Sequence, residues 1–161
     1  MKQGLEARLI IGRMPQTLSF TLVHIIFSTK DRRPLLTDAI RTELFPYLAT
    51  VVRDKKCECF RAGGVADHVH LAVRLHPTTS LAKLVEEAKV ASSKWLKVKG
   101  VSGFGWQRGY AAFSVSPADV GAVVRYIEGQ EAHHRRRDFQ EEMRAFLEKY
   151  HVVFDERYVW D

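Results

Sequence analysis

The chain has almost no cysteine: Cys57 and Cys59 are the only two among 161 residues. On alternate positions of a strand they sit badly for a mutual disulfide, and two are too few for a zinc cluster. A disulfide scaffold is excluded, and reduced thiols in a cytoplasmic protein are expected. Long apolar runs are missing too. None approaches the roughly 20 residues that span a bilayer, so no membrane partner is expected. Met1 to Arg13 carries charges but has no long apolar centre and no small-residue cleavage site, which argues against a signal peptide. There is no internal repeat and no low-complexity tract. Acidic residues are in the minority, 19 against 25 Lys and Arg, leaving a net charge of +6. That excess favours an acidic partner, and nucleic acid is the commonest one. What is abundant is apolar residue, 46% of the chain, enough for one domain of this length to bury a core without staples.

Regular patterning begins after Met14. Residues 1–13, with Lys2, Arg8 and Arg13 set against Glu6, read as an N-terminal extension to a single domain at 14–161, and Met14 is a candidate physiological start. Ser19 to Ser28 (SFTLVHIIFS) predicts a buried strand, with Val23, Ile25 and Phe27 on one face and Phe20, Leu22, His24 and Ile26 on the other. Thr37-Asp38 caps a helix to about Asp54 whose stripe is Ile40, Leu44, Leu48 and Val51. Pro46 inside it should kink or restart it. Cys57 to Ala62 reads as a second strand, Gly63-Gly64 as a bend, and His68 to Leu75 as a third strand. Thr79-Ser80 caps a second helix to about Lys99. After a loop with Gly100, Gly103 and Gly105, Tyr110 to Val115 is a fourth strand. Ser116-Pro117-Ala118-Asp119 starts a helix carrying Tyr126 and Gln130. A last helix runs from about Asp138 to Tyr150, with Phe139, Met143, Phe146 and Leu147 as core contacts. The aromatic end, Val152 to Asp161, is expected to pack. Strand–helix–strand twice over predicts an α+β fold: a ferredoxin-like antiparallel sheet with helices on one face.

Asp67-His68-Val69-His70 is the most informative stretch. Side chains alternate along a strand, so His68, His70, Ala72 and Arg74 share one face and Val69, Leu71, Val73 and Leu75 the other. The apolar set belongs against the helices. The histidines then point away from them, where two neutral imidazoles can share one divalent metal. A lone histidine on a strand is ordinarily a satisfied core residue; a pair at i and i+2 behind Asp67 is less easily read so. His24 could join them if the register allows. No following Asp-His of a metallo-β-lactamase-like pattern is present, nor the His-x-Thr repeat of two-histidine phosphoesterases. Tyr126 and Gln130 stand four residues apart at the border of a stripe made by Val120, Val124 and Ile127, about 70–110° from its centre. Alone they would read as a boundary tyrosine and a solvated polar residue.

Taken together, these residues resemble the single-tyrosine HUH transposases of small bacterial insertion sequences and their REP-associated relatives. His68-Val69-His70 matches the histidine–bulky apolar–histidine motif of that family, and Tyr126 with Gln130 matches its tyrosine followed four residues later by glutamine. Val23-His24-Ile25-Ile26-Phe27-Ser28-Thr29-Lys30 looks like the family's opening. Tyr126 through His134 and Asp155-Glu156-Arg157-Tyr158 are similar to its closing stretch. The resemblance covers about residues 14–161 and implies the HUH endonuclease fold with a C-terminal catalytic helix. It also implies that His68, His70 and Gln130 hold one Mg²⁺ or Mn²⁺, a neutral set that leaves positions for water and phosphate oxygen. Tyr126 would attack in line to form a 5′-phosphotyrosine and release a 3′-OH. A phosphotyrosine keeps the energy of the broken phosphodiester, so rejoining needs no ATP; such an enzyme is a strand-transferase. His24 would stand nearby.

The family's substrate is single-stranded DNA folded into hairpins at element ends. On this reading the DNA-binding residues are Lys83, Lys94 and Lys97, which fall within about 60° on the second helix, together with Arg108 in the glycine loop and Arg135, Arg136 and Arg137 after the catalytic helix. Basic side chains meet phosphates, and aromatics such as Trp95 and Trp106 either stack on unpaired bases or belong to the core. The family implies a homodimer, often with the tyrosine helix of one subunit completing the other's site, and a bacterial, nucleoid-associated cytoplasmic location. Two alternatives stay open: a domesticated relative that nicks repeated hairpins, and a non-catalytic single-strand-binding domain. The second would tolerate Tyr126→Phe and bind independently of metal.

Overall fold

A computed structural model describes residues 17–160; the expected extension at 1–13 lies outside the described residues. The chain order is β1 (Thr21–Ser28), a 3₁₀ turn (Lys30–Arg32), α1 (Asp38–Asp54), β2 (Glu58–Gly64), β3 (His68–Leu75), α2 (Leu81–Val98), β4 (Ala111–Val115), a 3₁₀ turn (Pro117–Asp119), α3 (Val120–Glu128), α4 (Gln130–His134) and α5 (Phe139–Lys149). The four strands form one sheet in the order β2–β3–β1–β4, and every neighbouring pair is antiparallel. This is the ferredoxin-like arrangement expected from the order of elements.

The alternation along β1 and β3 decides which side is which. Val23, Ile25 and Phe27 join Val69, Leu71 and Val73 in the main core, under Leu44, Leu48 and Val52 of α1 and Leu84, Val85, Ala88 and Leu96 of α2. The even-numbered residues of both strands face the other way, and there a second core forms. Ile26 and Phe113 of the sheet pack under Phe139, Met143 and Leu147 of α5. Phe154, Val159 and Trp160 of the C-terminal segment pack against the same cluster, while Val153 and Tyr158 stay exposed. Both faces of the sheet are therefore covered. Among the described residues no helix is long and apolar enough to cross a membrane.

Local signals explain the helix starts. Thr37, Ser80 and Asp138 each accept a hydrogen bond from the backbone N–H three residues on, closing the first turn of α1, α2 and α5. Ser116 instead donates its hydroxyl to Asp119 across the turn before α3. Pro46 neither stops nor restarts α1. It lies on the exposed side of that helix with Thr42, so water can take the Thr42 carbonyl that proline leaves without a donor. Between α3 and α4 the helix expected to be continuous is interrupted at Gly129, which keeps non-helical angles (φ −87°, ψ 11°).

The backbone comes closest at Gly63 and Gly64 in β2. A Cβ on Gly63 would lie 2.6 Å from the Ile127 Cγ2 atom and 3.0 Å from the Ile127 carbonyl oxygen. Lacking a side chain there, β2 lets α3 settle directly onto the sheet beside the histidines. Gly64 has φ +150° and would drive a Cβ into the His68 carbonyl, so the β2–β3 turn that delivers His68 requires glycine.

Candidate active site

His68 and His70 are fully buried on the face away from α1 and α2. They are set by register: His70 pairs with Ile26 and His68 with Ser28 on β1. His24, opposite Ala72, stands diagonal to His70, and its Nε2 shares a 2.8 Å hydrogen bond with His70 Nδ1. His68 Nδ1 is 2.7 Å from the Asp67 carboxylate. Each histidine of the pair is thus held through Nδ1 and turns Nε2 toward a common interior point. An acceptor on Nδ1, as the Asp67 carboxylate is for His68, selects the tautomer that leaves Nε2 free to bind a metal, and His24 does the same for His70 when its Nε2 accepts.

Across that point lie α3, α4 and α5. Gln130 is 1% exposed; its Oε1 is 3.3 Å from His68 Nε2, and its amide donates weakly to the Tyr126 carbonyl at 3.4 Å. The helix break at Gly129 does not spoil this pairing. The Tyr126 ring meets His70 and His24 edge-on, with centroids 5.8 and 6.1 Å apart. The tyrosine helix of this chain therefore packs across the face its own histidines share.

Two participants escaped the sequence reading. Glu142 of α5 is only 2% exposed, and it reaches into the centre. Its Oε1 lies 3.0 Å from His70 Nε2 and 3.5 Å from His68 Nε2. Its Oε2 accepts the Tyr126 hydroxyl at 2.5 Å and lies 3.0 Å from His134 Nε2 and 3.3 Å from His133 Nε2. His68, His70, His134 and Glu142 each offer a ligand atom, all within 4.8 Å of one another. A signal for Glu142 exists in the sequence: it sits three residues after Phe139 and four before Phe146, inside the apolar stripe of its helix. His133-His134 is masked by the arginine run that follows it.

Burial dominates the electrostatics. Desolvation, with repulsion from a neighbouring histidine, lowers His24 to about 3, and desolvation lowers His70 to about 4, so both are neutral at neutral pH. His68 is also desolvated, but the hydrogen bond to Asp67 and the nearby Glu142 carboxylate outweigh that and raise it to about 9. Burial opposes the charge on Glu142, yet the hydrogen bond from His134 and the imidazoles of His68 and His70 beside it hold its carboxyl far below the usual range. Burial and the Glu142 charge push the Tyr126 phenol well above its ordinary value. Within this network His70 Nε2 and Glu142 Oε1 are buried without a hydrogen-bond partner of adequate geometry, although they face each other. Two unsatisfied lone-pair atoms aimed at one point are what a bound cation would satisfy.

The basic residues divide between the two sides of the fold. Lys83, Lys94 and Lys97 are on α2, which packs on the face opposite the histidines. Lys83 is engaged with Glu86 and Glu87, while Lys94 and Lys97 are exposed. Arg108 is exposed in a loop whose carbonyls, at Gln107, Arg108 and Gly109, all accept from Lys89. Arg135, Arg136 and Arg137 are exposed between α4 and α5, and the charge of Arg137 reaches Tyr126. Trp95 stacks on Tyr47, and Trp106 packs edge-on against Phe27 and Phe104 while donating to Ser92. Both tryptophans are structural.

A site of this make-up can be compared with known proteins. No curated protein matches the sequence. Among solved structures, the fold is similar to a candidate transposase from Deinococcus radiodurans R1, at 24% identity and a TM-score of 0.56, over 73% of this chain and 96% of that one. It is also similar to a REP-associated tyrosine transposase bound to a REP hairpin, at 17% identity and a TM-score of 0.55, over 75% of this chain and 74% of that one. The family of IS200-like transposases matches residues 18–130. That span is well over half the chain and holds His24, His68, His70, Tyr126 and Gln130, and the chain belongs to the IS200-like transposase family.

Proposed function

We propose that this transposase cleaves and rejoins single-stranded DNA through a covalent 5′-phosphotyrosine on Tyr126, with a divalent ion, Mg²⁺ or Mn²⁺, held by His68, His70 and Gln130. The observation that carries the reading is convergence. The Nε2 atoms of both histidines, the Gln130 carbonyl and the Tyr126 hydroxyl all approach one Glu142 carboxylate or its immediate neighbours within a single chain. The two unpartnered buried atoms at that point fit a cation.

When bound, such an ion would polarise the scissile phosphodiester and stabilise charge on its oxygens. The other parts of the reaction belong to the protein. Asp67 and His24 fix the orientation of the two imidazoles through Nδ1. Tyr126 supplies the nucleophile: its phenol gives up a proton as its oxygen bonds to phosphorus, the bond to the departing 3′-oxygen breaks, and that oxygen takes up a proton, so none is gained or lost overall. The buried surroundings keep water away from the resulting ester, which preserves it for attack by another 3′-OH. Arg135, Arg136 and Arg137, exposed between α4 and α5, would meet the DNA backbone. Lys94, Lys97 and Arg108 would contact a more distant part of a folded strand, and Lys83 only after leaving its glutamates. The likeness to a protein bound to a REP hairpin favours a hairpin as the structured part of the substrate. A homodimer is the assembly we propose, with the site complete within each chain.

The test uses a hairpin oligonucleotide with single-stranded flanks, taken from the DNA on either side of the gene and labelled at one end or the other. A 3′-end label should move onto the protein, and the 5′ fragment should carry an extendable 3′-OH, only with divalent ion and only with Tyr126 present. Free fragments with no protein adduct would sink the strand-transfer reading.

A further inference from the structure

The residues that hold the ion in the reading above all fall inside the span matched by the family, 18–130. Glu142 lies beyond it, on α5, yet no side chain is more central to the site. Its two oxygens have different surroundings. Oε2 is saturated: Tyr126 donates to it, and His134 and His133 approach it at 3.0 and 3.3 Å. Oε1 has no adequate partner and faces the Nε2 atoms of His70 and His68. A carboxylate clamped through one oxygen, with the other bare beside two imidazole nitrogens, is arranged as a metal ligand rather than as a structural acceptor.

We propose that Glu142 is a fourth ligand of the catalytic ion, bound through Oε1, and that its Oε2 ties the Tyr126 hydroxyl to that same ion. This rests on the metal-dependent reading of the site. His134 acts as a positioning residue: it donates to Oε2 and keeps Oε1 turned toward the histidines. The consequences are chemical. The ligand set changes from neutral to singly negative, which strengthens its hold on a divalent cation. Its two imidazoles and mixed oxygens suit Mn²⁺ or Co²⁺ better than Mg²⁺, which prefers oxygen alone. The nucleophile is placed one carboxylate away from the metal by a residue of a different helix. Docking of α5 thereby completes the site.

The experiment is titration of Mn²⁺ and of Co²⁺ into the full-length, chelator-stripped protein, with heat and the visible absorption of bound Co²⁺ as readouts. Wild type, Glu142→Gln, Glu142→Asp, Tyr126→Phe and His68→Ala are compared, and circular dichroism checks the fold. Glu142→Gln should weaken Mn²⁺ binding about 10–100-fold, the range for losing a partner of a metal site, and should alter the Co²⁺ spectrum. Glu142→Asp should recover part of the affinity, and Tyr126→Phe, which removes one donor to Oε2 but leaves His134 in place, should cost less than Glu142→Gln. Wild-type affinity and an unchanged Co²⁺ spectrum in Glu142→Gln, alongside loss in His68→Ala, would overturn the role of Glu142 and leave the metal reading standing. No binding by the wild type would overturn both. If Glu142→Gln does not fold, the Co²⁺ spectrum of Glu142→Asp decides: a shifted spectrum supports the assignment and an identical one refutes it.

Discussion

Gly63→Ala tests how closely the position of Tyr126, the proposed nucleophile, depends on the sheet beneath it. A Cβ at Gly63 would meet Ile127 Cγ2 at 2.6 Å and the Ile127 carbonyl oxygen at 3.0 Å, about 1 Å inside ordinary carbon–carbon contact for the first of these. Ile127 is 1% exposed and immediately follows Tyr126. The side chain has little room to turn aside, and the backbone oxygen has less. The simplest relief is movement of α3 away from β2 by a good part of an ångström. Overpacking of this kind costs about 1–3 kcal/mol, a fall in melting temperature of roughly 2–12 °C for a domain of this size. Misplacing a reacting group by about 1 Å costs on the order of 100-fold in rate. We therefore expect a folded protein whose rate of covalent adduct formation falls about 100-fold, far more than its stability suggests. Removing Cγ2 as well, in Gly63→Ala with Ile127→Ala, should give a rate loss smaller than the product of the two single effects. The assay is single-turnover adduct formation on a hairpin substrate beside thermal unfolding. A Gly63→Ala rate within a few-fold of wild type would refute the claim that this contact sets the position of Tyr126.

Two further outcomes follow from the histidines. His24→Ala leaves His70 Nδ1 without its 2.8 Å partner; stability should fall by about 1–3 kcal/mol and Mn²⁺ affinity by about 10–100-fold, measured by denaturant unfolding and by titration. In metal-free protein, stability should peak near pH 6.5. His24 and His70, lowered to about 3 and 4 chiefly by burial, contribute stability that is present above 6.5 and is lost as pH falls below it. His68, which burial would lower but the Asp67 hydrogen bond and the nearby Glu142 carboxylate raise to about 9, contributes stability that is full below 6.5 and is lost as pH rises through 9. A melting temperature that rises steadily from about pH 5 to pH 9 would contradict this assignment of charge.

Much of this was legible in the sequence because it is carried by period and punctuation. The alternation of Val23, Ile25 and Phe27 against His24 and Ile26 sorted β1 into its two faces, and the same period put His68 and His70 together. Capping residues marked the starts of α1 and α2, whereas Ser116, read as the cap before the Tyr126 helix, bonds to the Asp119 side chain instead of a backbone N–H. The errors arose where surroundings outweigh local preference. Pro46 reads as a kink or a restart; the helix does not restart there, because on its exposed side the missing N–H is cheap. Gly129 looked like an ordinary helical residue, yet it interrupts the helix without separating Gln130 from His68. Glu142 is hard to single out because Glu141 and Arg144 beside it suggest a solvated face. Its place in the apolar stripe of α5 acquires meaning only once three histidines are known to lie opposite, and that juxtaposition joins β3, α4 and α5 across long stretches of chain.

The central claim is that Tyr126 forms the covalent bond to DNA. The most direct measurement is proteolysis of the adduct formed on flanking single-stranded DNA with Mn²⁺, followed by mass spectrometry of the nucleotide-bearing peptide. The account predicts the peptide containing Tyr126, with the nucleotide on its phenol, and no adduct in Tyr126→Phe. Recovery of the nucleotide on Tyr110 or Tyr150, or an undiminished adduct in Tyr126→Phe, would contradict it.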